Sequence, residues 1–246
     1  MKVAVISDVH SNMDALSVVL DDIEGEGVAQ VWCLGDLVGY NAEPDACIEE
    51  VRKRCTYVVL GNHDAAVAGH FEPLHFNLAA RAAVEWTRKV LKRDNLAYLD
   101  RLPSARSVTE EILLVHGSPS DPEAYIMGIS QAESELQYLF QRLRKRICFF
   151  GHTHVPVLYG MTRSGEVFHE PGEGEVRLDQ ENLYLINPGS VGQPRDGDPR
   201  ASYLVLDLRE LTVKWVRLVY DVDSAQEKVL RAGLPEFLAS RLSRGM

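Results

Sequence analysis

The chain has 246 residues, 46% of them hydrophobic and 25% charged, with a formal net charge of -10. That length and balance fit a globular protein with a substantial core, and the acidity argues against a general binder of nucleic-acid polymers or anionic membranes. No apolar run approaches the roughly 20 residues that a membrane-spanning helix needs.

Val3-Ala4-Val5-Ile6-Ser7 reads as a buried strand and runs into Asp8-Val9-His10. Ser11 and Asn12 are good helix-capping types, and Met13, Leu16, Leu20 and Ile23 then recur on one helical face until Gly25 and Gly27. A second run, Val31-Trp32-Cys33-Leu34, enters Gly35-Asp36. Pro44 suits a first helical turn, followed by the stripe Cys47, Ile48 and Val51. A third run, Tyr57-Val58-Val59-Leu60, enters Gly61-Asn62-His63-Asp64. Strand–helix–strand alternation of this kind predicts an α/β fold with a parallel sheet.

Residues 65–102 carry no strand signal. Leu78, Ala82, Trp86 and Val90, spaced by four, predict a helix, and Leu96, Leu99 and Leu102 a shorter one stopped by Pro103. This segment is expected to cover the sheet, with capping of the site as the alternative. Residues 104–116 read as two strands around Glu110-Glu111, the second passing from Ile112-Leu113-Leu114-Val115 into His116-Gly117. A helix over 130–145 leads to Ile147-Cys148-Phe149-Phe150, which enters Gly151-His152-Thr153-His154. Beyond it, strands at 155–161, 166–169, 183–187, 202–207 and 212–219 suggest a second, mixed or antiparallel sheet. Segment 164–182 is expected to be an exposed hairpin arm, and the tail after Ser224 two helices around Gly233-Leu234-Pro235. With no repeat or linker, residues 1–246 read as one domain. Cys33, Cys47, Cys55 and Cys148 form no C-x-x-C pair and read as reduced thiols of a cytoplasmic protein; Lys2 opens a strand rather than a signal peptide.

Five strand-like runs thus end in Asp, Asn or His, and five of the eight histidines lie there. Ligand crevices in α/β sheets lie outside the carboxyl ends of strands, so these side chains should converge. Asp8 and His10 are two residues apart and share a side of an extended backbone, as do His152 and His154. With Asp36, Asn62 and His116 they make a ligand set too large for one ion and suited to two, with Asp36 the candidate bridge. Imidazole and carboxylate without thiolate suit two divalent transition-metal ions from Mn, Fe, Zn, Ni or Co. Two such ions outweigh Asp8, Asp36 and a hydroxide by one positive charge, which would attract a phosphate to an acidic protein.

These residues resemble the calcineurin-like metallophosphoesterases, whose pattern is D-x-H, G-D, G-N-H-D/E, H and G-H-x-H. It is matched in order by Asp8-x-His10, Gly35-Asp36, Gly61-Asn62-His63-Asp64, His116 and Gly151-His152-Thr153-His154. Asn187-Pro188-Gly189-Ser190-Val191-Gly192-Gln193-Pro194-Arg195 also looks like the small bacterial phosphodiesterase/phosphatase branch. The resemblance implies a four-layer α/β-β/α sandwich of two mixed sheets flanked by helices. It implies Asp8, His10, Asp36 and His154 at one metal and Asp36, Asn62, His116 and His152 at the other, with His63 facing the phosphate.

The expected reaction is in-line attack on phosphorus by a metal-bridging hydroxide held at Asp36, with His63 giving a proton to the leaving oxygen. Asn62, His63, Tyr40 and Arg195 are the candidate substrate-binding residues. The protein-phosphatase branch reads G-D-x-V-D-R-G, whereas Gly39 and Tyr40 follow Val38 here. Its carboxylate and arginine are missing, and the glycine would open space that Tyr40 and Asn41 could line. A phosphodiesterase is therefore expected ahead of a phosphomonoesterase or protein phosphatase. A dinucleoside polyphosphate hydrolase and a non-catalytic protein-binding scaffold are the further alternatives. The expected partner is a phosphoester, with no membrane and no nucleic-acid polymer; a homo-oligomer is left open.

Overall fold

The computed structural model describes residues 1–246. Its first unit is β1 (Lys2–Ile6), α1 (Met13–Gly25), β2 (Gln30–Cys33), α2 (Pro44–Arg54) and β3 (Tyr57–Val58), three parallel strands joined by helices. Asn12 caps α1 by accepting the Ala15 N–H at 3.1 Å, and Pro44 occupies the first turn of α2, where its missing N–H leaves no bond unmade. Three helices follow without a strand: α3 (Asn62–Ala68), α4 (Leu78–Val90) and α5 (Arg93–Leu99).

Helix α4 forms where the spacing predicts it but buries a different face. Ala80, Ala83, Val84 and Thr87 point inward, while Leu78 and Val90 are exposed. Four residues overshoot one helical turn by about 40°, so a row of strict fours winds away from any flat surface.

The remaining elements are β4 (Ala105–Ser107), β5 (Ile112–Val115), α6 (Ile129–Gln141), β6 (Ile147–Phe149), β7 (Val157–Met161), β8 (Val167–Pro171), β9 (Glu175–Arg177), β10 (Leu183–Asn187), β11 (Ala201–Asp207), β12 (Thr212–Leu218), α7 (Val222–Arg231) and α8 (Glu236–Ser240). Two six-stranded mixed sheets result, ordered β3-β2-β1-β11-β12-β9 and β4-β5-β6-β10-β7-β8. The strands after His154 therefore do not make a second sheet of their own. β11 runs antiparallel to β1, pairing Val3 with Leu206, and brings β12 and β9 with it, whereas β10 inserts between β6 and β7. The stretch expected as a hairpin arm is likewise divided, β8 pairing with β7 in one sheet and β9 with β12 in the other. Both are edge strands, and their exposed charged residues suit that position.

Strand alternation builds the layers. Val3 and Val5 face the second sheet, meeting a cluster that includes Leu114, Phe149, Leu158 and Ile186. Ala4 and Ile6, one residue out of step, face the helices through Leu16, Val19, Ile48 and Val51. On the outer side of the second sheet, Leu113, Cys148 and Leu185 meet Ala132, Leu136 and Leu139 of α6. The fold is thus the four-layer sandwich, helix–sheet–sheet–helix. Because β1, β2 and β3 belong to one sheet and β5 and β6 to the other, the five polar strand ends meet at a common rim of two sheets. All four cysteines are free, and no helix is long and apolar enough to cross a membrane.

Candidate metal and active site

The polar strand ends share an unusual backbone. Asp8, His10, Asp36, His152 and His154 all have φ between 47° and 64°, a left-handed conformation that costs non-glycine residues about 1–3 kcal/mol each. The 187–195 stretch helps to hold it. Ser190 Oγ and the Gly192 N–H donate to the Asp8 carbonyl at 2.8 and 2.9 Å, and the Val191 N–H donates to Ser7 at 3.0 Å. A side chain on Gly192 would collide with the Val9 carbonyl.

Seven side chains converge there, each buried or nearly so. His10 Nδ1 donates to the Val38 carbonyl at 2.9 Å and His154 Nδ1 to the Gln193 carbonyl at 2.6 Å. Both rings therefore present bare Nε2 lone pairs, and these face each other at 3.1 Å. Asp8 Oδ1 lies 3.3 Å from His154 Nε2, fully buried and with no hydrogen-bond partner. Lone pairs and an unpaired carboxylate oxygen aimed at one point repel, unless a cation lies among them. On the other side His116 Nδ1 donates to the Leu34 carbonyl at 2.8 Å, and its Nε2 lies 3.0 Å from Asn62 Oδ1. Asp36 Oδ2 stands between the groups, 3.4 Å from His10 Nε2 and 3.3 Å from His116 Nε2. Asp8, His10, Asp36 and His154 could hold one ion, and Asp36, His116 and His152 a second; the donor atoms of each group lie within 4.8 Å of one another. The donor set fits divalent metal.

Charge state follows from burial and neighbours. Burial pushes Asp8 up to about 6 and depresses His10 and His154 well below the usual histidine range, leaving both rings neutral. Burial also opposes charge on Asp36 and His116, but their mutual attraction prevails: Asp36 is held well below the carboxylate range and His116 rises to about 9. Asp36 thus favours positive charge beside it.

His63 is at this centre but turned differently. Its N–H donates to Asp36 Oδ1 at 2.8 Å, while its ring packs 4.4 Å from Tyr40, 4.9 Å from His10 and 4.8 Å from Phe76. Burial lowers it to about 4, and its Nδ1 has no partner. Gly39 does not open substrate space as expected from the sequence. It has φ +94°, and a β-carbon there would strike His63 Nδ1, so the space belongs to the histidine ring. Asn41 is also turned away, donating to the His10 carbonyl at 2.8 Å. Room lies instead in an adjoining cavity of about 320 Å³ whose walls include Tyr40, His63, Phe76, Tyr125 and His152. Tyr125 stacks on His152 at 3.8 Å. Arg195 reaches the rim, donating from Nη2 to the Tyr40 hydroxyl at 3.3 Å.

A family model described as the calcineurin-like phosphoesterase superfamily domain matches residues 1–211. The chain belongs to this superfamily. It is 38% identical to the uncharacterised protein MJ0912 of Methanocaldococcus jannaschii, over 99% of this chain and 98% of that one. It is 27% identical to phosphodiesterase YfcE of Escherichia coli, over 87% of this chain and 91% of that one. The crystal structure of a metallophosphoesterase from Sphaerobacter thermophilus superimposes with a TM-score of 0.86 at 38% identity, covering 100% of both chains. This metallophosphoesterase is accordingly a phosphoester-hydrolysing enzyme of a metal-dependent family.

The motif residues all meet at one centre, with Tyr40 against it and Arg195 at its rim. Phe76, Tyr125 and His75 were not singled out in the sequence, although they line the cavity. His75 and Phe76 lie in segment 65–102, which therefore covers helices and also borders the site. Neither those two nor Tyr125 sits in a pattern that announces its position.

Proposed function

We propose that this metallophosphoesterase is a dinuclear phosphodiesterase acting as one domain. Asp8, His10, Asp36 and His154 would hold one divalent ion, and Asp36, Asn62, His116 and His152 the other. The observation that carries this reading is Asp36 Oδ2, within 3.4 Å of a histidine from each ligand group. When bound, such an ion pair neutralises phosphoryl oxygens and acidifies water enough to give a nucleophile near neutral pH. The chain's own residues then position the ester. The backbone bonds from Nδ1 of His10, His116 and His154 fix the ligand rings before substrate arrives.

His63 would protonate the leaving oxygen. Its ring is neutral in the free protein, and a bound phosphoryl group's negative charge would favour the protonated form. Preference for a diester is supported by the cavity beside His63, which offers apolar and aromatic walls for a second substituent. The Escherichia coli relative named as a phosphodiesterase agrees with it. The ligand set suits Mn, Fe, Zn, Ni or Co, and the free thiols fit a reducing, cytoplasmic setting.

The test is a paired assay of bis-p-nitrophenyl phosphate and p-nitrophenyl phosphate with saturating Mn. The diester should give kcat/KM equal to or above that of the monoester. A preference of about tenfold or more for the monoester, worth roughly 1.4 kcal/mol, would make the protein a phosphatase.

A further inference from the structure

Two histidines of the site, His63 and His152, also line the adjoining cavity of about 320 Å³, and each has an aromatic ring from outside the motif segments laid against it. Tyr125 stacks on His152 with ring centres 3.8 Å apart and planes 26° apart, and Phe76 lies 4.8 Å from His63. Phe76 is partly buried and Tyr125 is 47% exposed, so both keep ring surface open to the cavity after the histidines are covered. Neither ring is loosely held. The Phe76 N–H donates to the Pro73 carbonyl at 3.2 Å, and the next residue, Asn77, caps α4 by accepting the Ala80 N–H at 2.9 Å. Tyr125 stands between Ala124, whose N–H donates to the Asp121 carbonyl at 3.2 Å, and Ile126, which is buried with Leu136 and Leu139 of α6. A ring laid on such a face removes apolar area from water and gains stacking energy. Little ordering is needed, because the backbone anchors already hold both residues in place.

We propose that Phe76 and Tyr125 determine specificity by receiving a flat aromatic ring that the substrate carries close to its scissile phosphate. The two histidines set that distance. His63, the proposed proton donor, and His152, a proposed metal ligand, stand between the phosphate and the two rings. A substrate ring that touches Phe76 or Tyr125 is therefore joined to the phosphate by a short link. An aliphatic substituent of equal size would fill the cavity without stacking. The inference rests on the phosphodiesterase reading for where the phosphate sits, and it names the class of substituent that this reading leaves open.

The test is calorimetric titration of the Mn-loaded, full-length enzyme with three phosphonates, whose carbon–phosphorus bond replaces the ester. Methylphosphonate reads the phosphoryl site alone, benzylphosphonate adds a flat ring, and cyclohexylmethylphosphonate adds an apolar ring of similar size without a flat face. Wild type should bind benzylphosphonate about tenfold more tightly than methylphosphonate. Cyclohexylmethylphosphonate should bind about fivefold more weakly than benzylphosphonate. Phe76→Leu and Tyr125→Ala should each lower the benzyl-over-methyl advantage about threefold or more, whereas Tyr125→Phe, which keeps the ring, should retain it. Taking the ratio isolates the ring, since loss of support for His152 in Tyr125→Ala would weaken all three ligands alike. A wild-type ratio near one, a cyclohexylmethyl ligand as tight as the benzyl one, an unchanged ratio in either Phe76→Leu or Tyr125→Ala, or a lost ratio in Tyr125→Phe would each overturn the inference. No binding of any phosphonate would remove the phosphoryl site and the inference with it. Turnover of bis-p-nitrophenyl phosphate against p-nitrophenyl phosphate judges the phosphodiesterase reading separately. A strong monoester preference with the benzyl advantage intact would refute that reading and leave the ring site standing.

Discussion

The space between the two sheets and the rim where their strands end are made from the same strands and behave oppositely. Val3, Val5, Trp32, Phe149 and Leu204 fill the first with apolar side chains that ask for nothing further. A few residues along, Asp8, His10, Asp36, His152 and His154 adopt left-handed backbone and bury lone pairs against one another. The interior stabilises the fold, and the rim spends part of that stability to hold ligand atoms ready for cations. Mutations should therefore separate cleanly into those that cost stability and those that cost activity.

The largest separation is expected at His63. Replacing it with alanine should retain both metals and lower turnover of alkyl esters about 10²–10⁴-fold, with a smaller loss for nitrophenyl esters that leave unaided. Metal analysis alongside the kinetics checks this; a fall in metal content would make His63 a ligand.

An opposite effect of comparable free energy belongs to the interior. Phe149→Ala removes a fully buried ring between the sheets and should cost about 3–5 kcal/mol in urea unfolding, while the folded variant binds metal as wild type does. Weakened metal affinity in the folded variant would show that rim and interior are coupled.

The mildest effect is that of pH. His116 sits at about 9 in the metal-free protein, where burial is outweighed by the Asp36 charge, and it must lose its proton to act as a ligand. Affinity at the His116 side should rise about tenfold per pH unit between pH 7 and 9, with release of one proton. Competition titrations at pH 7.0 and 8.5 measure this, and an unchanged affinity would contradict His116 ligation.

Much of the site could be read from the sequence because its chemistry lies at strand ends, where Asp, Asn and His interrupt β-branched runs at short fixed spacing. The four layers followed from the family resemblance, while the all-apolar runs of β1, β5 and β6 marked them only as strands buried on both faces. What the sequence hid depends on packing between distant segments. An alternating strand looks the same whichever sheet it joins, so β9, β11 and β12 could not be assigned to the sheet of β1. The inward face of α4 was masked by its small residues, since Ala80 and Ala83 are buried while the larger Leu78 is exposed. Phe76 and Tyr125 meet the site only through the docking of two loops, which no local spacing records. Gly39 was read as empty space because the sequence does not show that the His63 ring fills it.

The central claim, a two-cation centre bridged by Asp36, is tested most directly by counting bound metal. Equilibrium dialysis against Mn followed by elemental analysis should find two ions per wild-type chain and one in His10→Ala. Asp36→Asn should bind neither tightly and should hydrolyse no ester. One ion in saturated wild type, or two in an active Asp36→Asn enzyme, would contradict the account.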